Sequence, residues 1–455
     1  MLHSRLDSYN TLRQAYPEFV YESFFYWLED DRFYVKFRFG VSGKIMFEPK
    51  LVFHTGRLSQ LHALSREELD LFCFNLGMAE LVSYWKATCS PELIIKAAIL
   101  DDWQITWWKK LYYKGLGEFF HTNGIQPEYN SFLDISCISK NRLVKADKPL
   151  ADEILLPVGG GKDSIVSLEI LLESGLSVTP YVINFSKTHQ KVLETAGFEA
   201  EDVIRIDRVI DPVLLDLNDR GFLNGHTPFS AVVAFTSVFA AYASGKRYIL
   251  LSNESSANEP TIPETGVNHQ YSKSIEFESD FRNYVQRNLH PEIDYFSLLR
   301  PLNELQIARI FSRFNKYHEV FRSCNKGSKE GIWCGNCPKC LFTQIILSPF
   351  ISPDTLQRIF SKNLLEDASL ETTFRQLTGL DDEKPFECVG TLGEVNAAIR
   401  ETMKIHKKYR PYLLNYYGNL MDRISSGQTY VELMNSHDPD NFLPPEFDKM
   451  LMKWL

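Results

Sequence analysis

The sequence predicts an α/β protein whose core is a parallel sheet with helices on both faces. Apolar strands and helices alternate along residues 153–252, as they do when each strand returns to the sheet through a helix. The strands are short apolar runs, which is typical of strands that are covered on both faces. A run of three glycines joins the first strand of this span to its first helix.

Each element of this core has its own signal. Short apolar runs predict strands at 153–158, 178–185, 202–206 and 248–252. The segments between them have helical spacing and end at glycines. Helices are predicted at 164–174, between the second strand and Gly197, and at 229–244. The last of these helices is apolar all round, so we expect it to be buried.

The regions on either side of this core have different patterns. Apolar and polar residues alternate at 32–40 and 44–47, which predicts a β-hairpin with its turn between them. Helical spacing runs from residue 65 to about 117, with a helix start at Ser90-Pro91-Glu92. Beyond about residue 280 the pattern is mainly helical.

We therefore expect three units along the chain. The first is an α+β N-terminal domain at 1–148, with β-hairpins followed by helices. The second is the α/β core at 149–300, and the third is a helical C-terminal region at 301–455. Two or three domains are what a chain of 455 residues allows.

The composition is that of a globular protein without a membrane partner. The chain has 49 Lys and Arg against 58 Asp and Glu, a net charge of −9, which argues against broad binding to nucleic acid. No apolar run is long enough to span a bilayer, and the first residues contain no apolar leader segment. We expect a cytoplasmic protein.

A loop with side chains suited to binding or catalysis follows the first core strand. It consists of Gly159, Gly160, Gly161, Lys162, Asp163 and Ser164. Successive glycines let backbone amides approach an anion, and the helix that follows adds the positive end of its dipole. The lysine can place its charge on phosphates, the serine can donate its hydroxyl, and the aspartate indicates a bridging Mg²⁺. A plain strand-to-helix turn would need none of these three side chains.

The loop resembles the pyrophosphatase loop (PP-loop) of ATP-dependent adenylating enzymes, whose fold is adenine nucleotide alpha hydrolase-like. Gly159 stands where that loop usually has a serine. The resemblance implies that ATP and Mg²⁺ are cofactors and that the loop binds the pyrophosphate that leaves. It also implies that Asn184 and Phe185, at the end of the second core strand, lie near adenine through backbone contacts.

Half of the eight cysteines crowd into one segment, as Cys324, Cys334, Cys337 and Cys340. The last three have CxxCxxC spacing, which lets four thiolates converge on one tetrahedral ion, and we expect Zn²⁺. Four sulfurs leave no open position, so the metal would be structural. An iron–sulfur cluster is the rival interpretation, because it also takes four thiolates. The glycine loop and this cluster together resemble 7-cyano-7-deazaguanine synthase, which is a much shorter enzyme.

Two polar stretches follow the fourth core strand, at 252–259 and 266–274. Open α/β sheets bind ligands at the carboxyl ends of their strands, so we expect a substrate site here. For any single residue, a solvated loop with capping side chains is the simpler interpretation. The catalytic candidates are Glu254, His269 and Lys273, and the substrate-binding candidates are Asn253, Asn258 and Asn268.

Two further candidates lie later in the chain. Arg300 can clamp a carboxylate or phosphate, or equally form an ion pair with Glu304. Cys388 is a catalytic candidate beside an acidic residue, with a buried core cysteine as an equal alternative. Cys89 is the other thiol to consider, since two thiols can invert a carbon from opposite faces.

The longer motifs together resemble the MurL family of epimerases. They lie around Trp85, in the glycine loop, and at 252–259, 267–274, 297–305, 323–325, 333–340 and 384–390. The resemblance implies that a UDP-linked muramoyl dipeptide, UDP-MurNAc-L-Ala-L-Glu, is the substrate and that its terminal L-Glu becomes D-Glu for peptidoglycan synthesis. It implies activation of the α-carboxylate by adenylation and does not identify the two epimerisation bases. Residues 1–80 give no match.

Two other classes of function stay open. One is a ligase or nucleobase-modifying enzyme on the same loop, of the deazaguanine-synthase or tRNA-thiolation type. A tRNA enzyme should have a basic face, and the net charge of −9 counts against it. The other is a non-catalytic zinc-binding module, in which Asp163 and Ser164 would have no purpose.

Overall fold

The protein is built on one mixed sheet. The computed structural model describes residues 2–262, 264–424 and 427–455. Within these ranges the sheet has 11 strands. They are β1 (Glu18–Glu29), β2 (Arg32–Val41), β3 (Ile45–Phe47), β4 (Lys50–His54), β5 (Glu92–Ile95), β6 (Asp134–Cys137), β7 (Ala151–Pro157), β8 (Val178–Ile183), β9 (Ile204–Val209), β10 (Lys246–Leu251) and β11 (Asp294–Ser297).

The α-helices surround this sheet and form the C-terminal region. They are α1 (Leu2–Ala15), α2 (Arg66–Trp85), α3 (Asp102–Gly115), α4 (Gly117–Thr122), α5 (Lys162–Glu173), α6 (Lys187–Thr195), α7 (Pro212–Asp219), α8 (Phe229–Ala243), α9 (Ile275–Tyr284), α10 (Glu304–Phe311), α11 (Pro338–Leu347), α12 (Pro353–Phe360), α13 (Glu371–Thr378), α14 (Leu392–Ile405), α15 (Tyr412–Gly418), α16 (Tyr430–Met434) and α17 (Pro445–Met452). Over the described ranges, none of the helices combines the length and the apolar character needed to cross a bilayer.

The glycine loop follows β7, the strand from which the chain adds strands first on one side of the sheet and then on the other. The order is β11-β10-β7-β8-β9-β4-β2-β1-β5-β6, with β3 beside β2. From β7 the chain continues to β8 and β9 on one side, and then to β10 and β11 on the other, all in parallel. The carboxyl ends of β7 and β10 therefore meet at the kind of reversal where open α/β sheets bind ligands.

The rest of the sheet is partly antiparallel. β4 pairs antiparallel with β9, so that Lys50 lies opposite Val209, and β2 pairs antiparallel with both β4 and β1. β5 and β6 then continue in parallel from β1. Strands from residues 1–148 and 149–300 thus share one sheet. The α/β class with a mostly parallel sheet is confirmed, and the division into three domains stays a prediction.

Helices cover both faces of the sheet at β7. Ile154 and Leu156 belong to a core shared with α5, α10 and α11. Leu155 belongs to a second core on the opposite face, shared with α2 and α8, because successive strand residues point to opposite faces. The expected burial of α8 is confirmed, since every residue from Ala234 to Ala243 is buried.

Most of the predicted elements are present where the pattern placed them. The predicted hairpin is formed by β2 and β3, with Val41 opposite Ile45. The four predicted core strands correspond to β7, β8, β9 and β10, and the three core helices to α5, α6 and α8.

Two segments differ from their predictions. The helix predicted to start at Ser90-Pro91-Glu92 is wrong, because this segment leads into β5, whose Leu93 and Ile95 are fully buried between β1 and β6. Pairing with distant strands outweighed the local start signal. The mainly helical region beyond residue 280 also contains β11, which pairs with β10 and buries Phe296.

Candidate functional site

The glycine loop makes a tight turn between β7 and α5. Gly160 has φ +77°, and a Cβ atom there would lie 2.7 Å from Thr188 Cγ2, so only glycine fits. A Cβ atom on Gly161 would meet the Ser323 hydroxyl oxygen at 2.9 Å. Gly161 caps α5 without a side-chain hydrogen bond to the first-turn amides, which is a helix N-terminus suited to an anion. The Ser164 hydroxyl donates to the Gly161 carbonyl at 3.1 Å.

Lys162 lies among carboxylates at the start of α5. It is 2% exposed and forms ion pairs with Asp163 and Glu304. Burial lowers the pKa of Lys162, but the charges of Asp163 and Glu304 outweigh this and raise it overall. The ion pairs therefore favour the charged ammonium group and hold it at the start of α5.

A small cavity joins the glycine loop to residues from distant segments. It has a volume of about 40 Å³, room for a water molecule or a bare ion, which needs roughly 10–15 Å³. Its lining combines charged, hydroxyl, aromatic and thiol groups: Lys162, Asp163, Glu254, Lys273, Glu304, Ser323, Lys339, Phe342, Thr343 and Cys388. Five of the residues singled out in the sequence, Lys162, Asp163, Glu254, Lys273 and Cys388, thus border one space. Its carboxylate oxygens are the donor type that Mg²⁺ prefers.

Cys388 is surrounded by positive charge. Lys273 Nζ donates to its sulfur at 3.3 Å, and the His269 side chain lies next to it. Burial raises the pKa of the Cys388 thiol, but the charges of Lys273 and Lys339 and the contact with His269 bring it well below its usual range. These surroundings favour the thiolate form of Cys388, unlike those of a core cysteine.

Glu118 and His226 complete this arrangement, and neither was predicted from the sequence. His269 Nδ1 forms an ion pair with Glu118 Oε2, which lies 3.4 Å from His226 Nδ1. The His226 and His269 rings are 4.4 Å apart between centroids. No local pattern marks the two residues, because Glu118 lies in α4 and His226 in the loop before α8, both far from His269 in sequence.

The two histidines have opposite protonation preferences. Burial lowers the pKa of His269, but its contacts with Cys388 and Glu118 outweigh this and raise it to about 9. Burial and the neighbouring charge of His269 lower the pKa of His226 to about 4. These shifts favour a protonated His269 and a neutral His226 near neutral pH.

Arg300 is fully buried and is held by several protein groups. Its guanidinium donates to the main-chain carbonyls of Glu254 at 2.7 Å and Lys273 at 2.5 Å. It also forms an ion pair with Glu278 at 2.8 Å. Arg300 thus fixes the backbone of two residues that line the small cavity.

We expect Arg300→Met to lower the free energy of unfolding by about 3–5 kcal/mol, because it leaves the buried Glu278 carboxylate without its partner. Urea unfolding measures the change. Arg220→Met, in a pair whose arginine side chain is 60% exposed, serves as the control and should cost less than about 1 kcal/mol. The account of Arg300 is wrong if the two variants unfold alike, and the double variant with Glu278→Leu should recover most of the loss.

Asn184 and Phe185 were predicted to lie near adenine, and Asn253 was predicted to bind substrate. Asn184, with φ +54°, is exposed and accepts a hydrogen bond from the Arg208 amide at 2.8 Å. The Arg205 guanidinium lies 5.7 Å from the centre of the half-buried Phe185 ring. The Asn253 side chain donates to the Ser297 hydroxyl at 3.1 Å.

Asn258 and Asn268 line a second and larger pocket of about 660 Å³. This pocket lies between the α3–α4 region and the segment before α9, with aromatic walls that include Tyr113, Phe120 and Tyr271. Pockets of roughly 300–1,000 Å³ hold ligands of nucleotide size. The Phe386 ring, two residues before Cys388, lies 5.5 Å from the ring of His121, which lines this pocket, and 6.5 Å from that of His269, between centroids.

The four clustered cysteines are arranged as ligands of one ion. Their sulfurs lie 3.8 Å apart for Cys324 and Cys337, 3.7 Å for Cys334 and Cys340, and 3.4 Å for Cys337 and Cys340. A tetrahedral ion with Zn–S bonds of about 2.3 Å sets its sulfurs about 3.8 Å apart. An iron–sulfur cluster holds its thiolates on several irons and spaces them more widely. The residues therefore fit a closed zinc site.

We expect metal analysis of the purified protein to give one zinc per chain and no visible absorption band. Cys334→Ser should lose the metal and unfold at a lower temperature, since a closed zinc site contributes to folding. Cys137→Ser, a half-buried cysteine outside the cluster, is the control and should keep the zinc. Iron together with a visible absorption band would contradict the zinc assignment.

Comparison with known proteins identifies the family. Residues 10–298 match the family model of the MurL N-terminal domain, and residues 320–429 match that of the MurL C-terminal domain. Curated relatives named UDP-N-acetyl-alpha-D-muramoyl-L-alanyl-L-glutamate epimerase are also similar. The protein from Xanthomonas oryzae pv. oryzae is 34% identical over 373 residues, which cover 80% of this chain and 82% of the relative.

Two further relatives have the same name. The protein from Salinispora tropica is 36% identical over 328 residues, or 70% of each chain. That from Micromonospora sp. is 36% identical over 328 residues, or 70% of this chain and 71% of the relative. The resemblance drawn from the motifs is confirmed, and the chain belongs to the MurL family.

Proposed function

We propose that the chain converts the terminal L-Glu of UDP-MurNAc-L-Ala-L-Glu to D-Glu, in a cytoplasmic step of peptidoglycan precursor synthesis. ATP is a second substrate that adenylates the α-carboxylate, and AMP and pyrophosphate are released. The observation that carries the proposal is the cavity shared by Lys162 and Asp163 of the glycine loop with Lys273 and Cys388. Phosphate-binding and proton-transferring groups face the same space, and the names of the relatives supply the substrate.

Adenylation explains why an epimerase would need a phosphate-binding loop. The α-proton of a free carboxylate is very weakly acidic, because its removal places a carbanion beside an existing negative charge. Converting the carboxylate to an acyl-adenylate removes that charge and provides a carbonyl through which an enolate delocalises. Proton removal and return then become feasible for side chains with ordinary pKa values.

The glycine loop and the start of α5 are suited to the triphosphate of ATP. The unpaired amides at this helix end and the Lys162 ammonium would bind the departing pyrophosphate. Asp163, with Glu254 nearby, would hold Mg²⁺, which supplies positive charge to the phosphates when bound. The predicted positions of Asn184 and Phe185 beside adenine remain part of this proposal.

We assign the proton transfers at the α-carbon to His269 and Lys273. Both lie next to Cys388, so they are close to one point. Inversion requires one group to remove the proton and another to return it on the opposite face. The 660 Å³ pocket lined by Asn258 and Asn268 would take the UDP-sugar end of the substrate.

The nucleotide products test this proposal. With UDP-MurNAc-L-Ala-L-Glu, ATP and Mg²⁺, we expect AMP and pyrophosphate in equal amounts. UDP-MurNAc-L-Ala, which lacks the glutamate, is the matched control and should yield neither product. Formation of ADP, or of AMP at the same rate without the glutamate, would contradict adenylation of the glutamate.

A further inference from the structure

Cys388 is the first member of a series of three contacting side chains. The His269 side chain lies next to the Cys388 sulfur and bonds through Nδ1 to the Glu118 carboxylate. The side chains of His269 and Glu118 are only 10% and 15% exposed. Enzymes that form covalent intermediates often combine a nucleophile, a base and a third group that orients the base.

We propose that Cys388 is a covalent nucleophile, and that the glutamyl group is inverted while bound to its sulfur as a thioester. This inference rests on the proposed function, because ATP and the muramoyl dipeptide supply the acyl-adenylate that the sulfur attacks. It assigns Cys388 a role beyond that of a base, and it makes Glu118 a positioning residue for His269.

The other cysteines outside the zinc cluster have different surroundings. Cys73 and Cys89 are fully buried, and burial raises the pKa of both thiols. The Cys89 thiol donates to the Lys86 carbonyl at 3.4 Å, as a structural thiol does. Burial also raises the pKa of Cys137. Among the described cysteines outside the cluster, Cys388 alone combines a lysine contact, a histidine contact and a place in the small cavity.

The position of the sulfur fits acyl transfer from AMP. Cys388 borders the same cavity as Lys162 and Lys339, whose charges favour departure of a phosphate-bearing leaving group. His269 and Lys273 both contact the sulfur, so an acyl group on it has its α-carbon, two bonds away, beside both residues. The two groups assigned to proton transfer thus flank the site of covalent attachment.

The reaction then has three steps, which are acyl transfer to the sulfur, inversion and hydrolysis. The thiolate attacks the acyl carbon, a C–S bond forms, the acyl C–O bond to AMP breaks, and its electron pair leaves on the AMP phosphate. Loss of the thiolate removes the negative partner of His269, which passes its proton to the departing AMP phosphate and can then accept the α-proton. Lys273 returns a proton on the opposite face. Water then breaks the C–S bond, which gives the D-glutamyl carboxylate and restores the thiolate. Of the two protons released, one recharges Lys273 and the other passes to solvent, and no oxidation state changes.

A thioester also makes removal of the α-proton easier than it is from a free carboxylate. Sulfur lone pairs delocalise poorly into the carbonyl, so the α-proton of a thioester is more acidic than that of a carboxylate or an oxygen ester. AMP departs before the α-proton is removed, which separates activation from inversion. Hydrolysis of the thioester completes the cycle with one water consumed per ATP.

Separate measurement of pyrophosphate and AMP tests the nucleophile. In the wild type both products should form at equal rates. In Cys388→Ala, pyrophosphate should appear in a single burst equal to the enzyme concentration, while AMP release falls by at least about 100-fold. The burst itself shows that the variant is folded and adenylates its substrate. Glu118→Gln should likewise slow AMP release and keep the burst, and Cys137→Ser should match the wild type.

If Cys388 acts only as a base, Cys388→Ala would keep releasing AMP by hydrolysis of the adenylate and would fail only to invert the glutamate. That result would overturn the nucleophile and leave the proposed function intact. If Cys388→Ala does not fold, alkylation of the wild type at Cys388 by iodoacetamide, located by mass spectrometry, should give the same burst without AMP release. A wild type that forms no pyrophosphate would instead contradict the proposed function.

Discussion

Asp163→Asn is expected to lower AMP release by at least about 100-fold, the loss typical of removing one stabilising group from a charged transition state. Asparagine keeps the shape of the side chain and removes the carboxylate that would hold Mg²⁺ at the phosphates. Lys162 keeps its second ion pair, with Glu304, so the N-terminal turn of α5 should stay folded. Asp163 is partly exposed, with 32% of its side chain accessible, which limits the effect on stability.

The measurement is AMP release together with the thermal unfolding temperature. Asp216→Asn, which removes an aspartate from an exposed pair in α7, is the matched control and should retain full activity. Undiminished AMP release by Asp163→Asn, with an unchanged unfolding temperature, would remove the assignment of Mg²⁺ binding to this residue. A large fall in the unfolding temperature would instead show that Asp163 is needed for the fold.

Lys273→Met is expected to lower glutamate inversion by roughly 100- to 10,000-fold, the usual contribution of one acid or base. The Lys273 ammonium contacts the Cys388 sulfur at 3.3 Å, while its main-chain carbonyl is held by Arg300. The backbone should therefore keep its position when the side chain is replaced. Pyrophosphate release should persist, because the glycine loop is unchanged.

Exchange of the glutamate α-proton with deuterium from D₂O measures this loss directly. Lys404→Met, at a lysine whose side chain is 73% exposed on α14, is the control and should exchange at the wild-type rate. Wild-type exchange in Lys273→Met would show that the proton transfers belong to other groups. His226, a neutral base whose Nδ1 lies 3.4 Å from Glu118, would then be the next group to replace.

Local spacing in the sequence was enough to find the parts of the site that lie within one segment. The glycine loop is a strand–turn–helix unit, and its glycines, lysine and aspartate are contiguous. The four cysteines lie within 324–340, and their sulfurs lie as close as one tetrahedral ion requires. In both cases the chemistry depends on neighbours in sequence, so a pattern can reveal it.

The parts that depend on distant contacts could not be predicted in this way. β5 has a local helix-start pattern, but Leu93 lies opposite Phe19 of β1, and this pairing decides its conformation. Glu118 touches His269 across 151 positions of the sequence, and nothing near Glu118 indicates such a contact. Arg300 was a ligand candidate by residue type, whereas its complete burial is a property of the folded protein.

The configuration of the glutamate product tests the central claim most directly. Purified protein is incubated with UDP-MurNAc-L-Ala-L-Glu, ATP and Mg²⁺, the product is hydrolysed, and the glutamate enantiomers are separated by chiral chromatography. The account predicts that D-Glu accumulates only when ATP is present and that AMP forms with it. Recovery of L-Glu alone, without AMP, would contradict it.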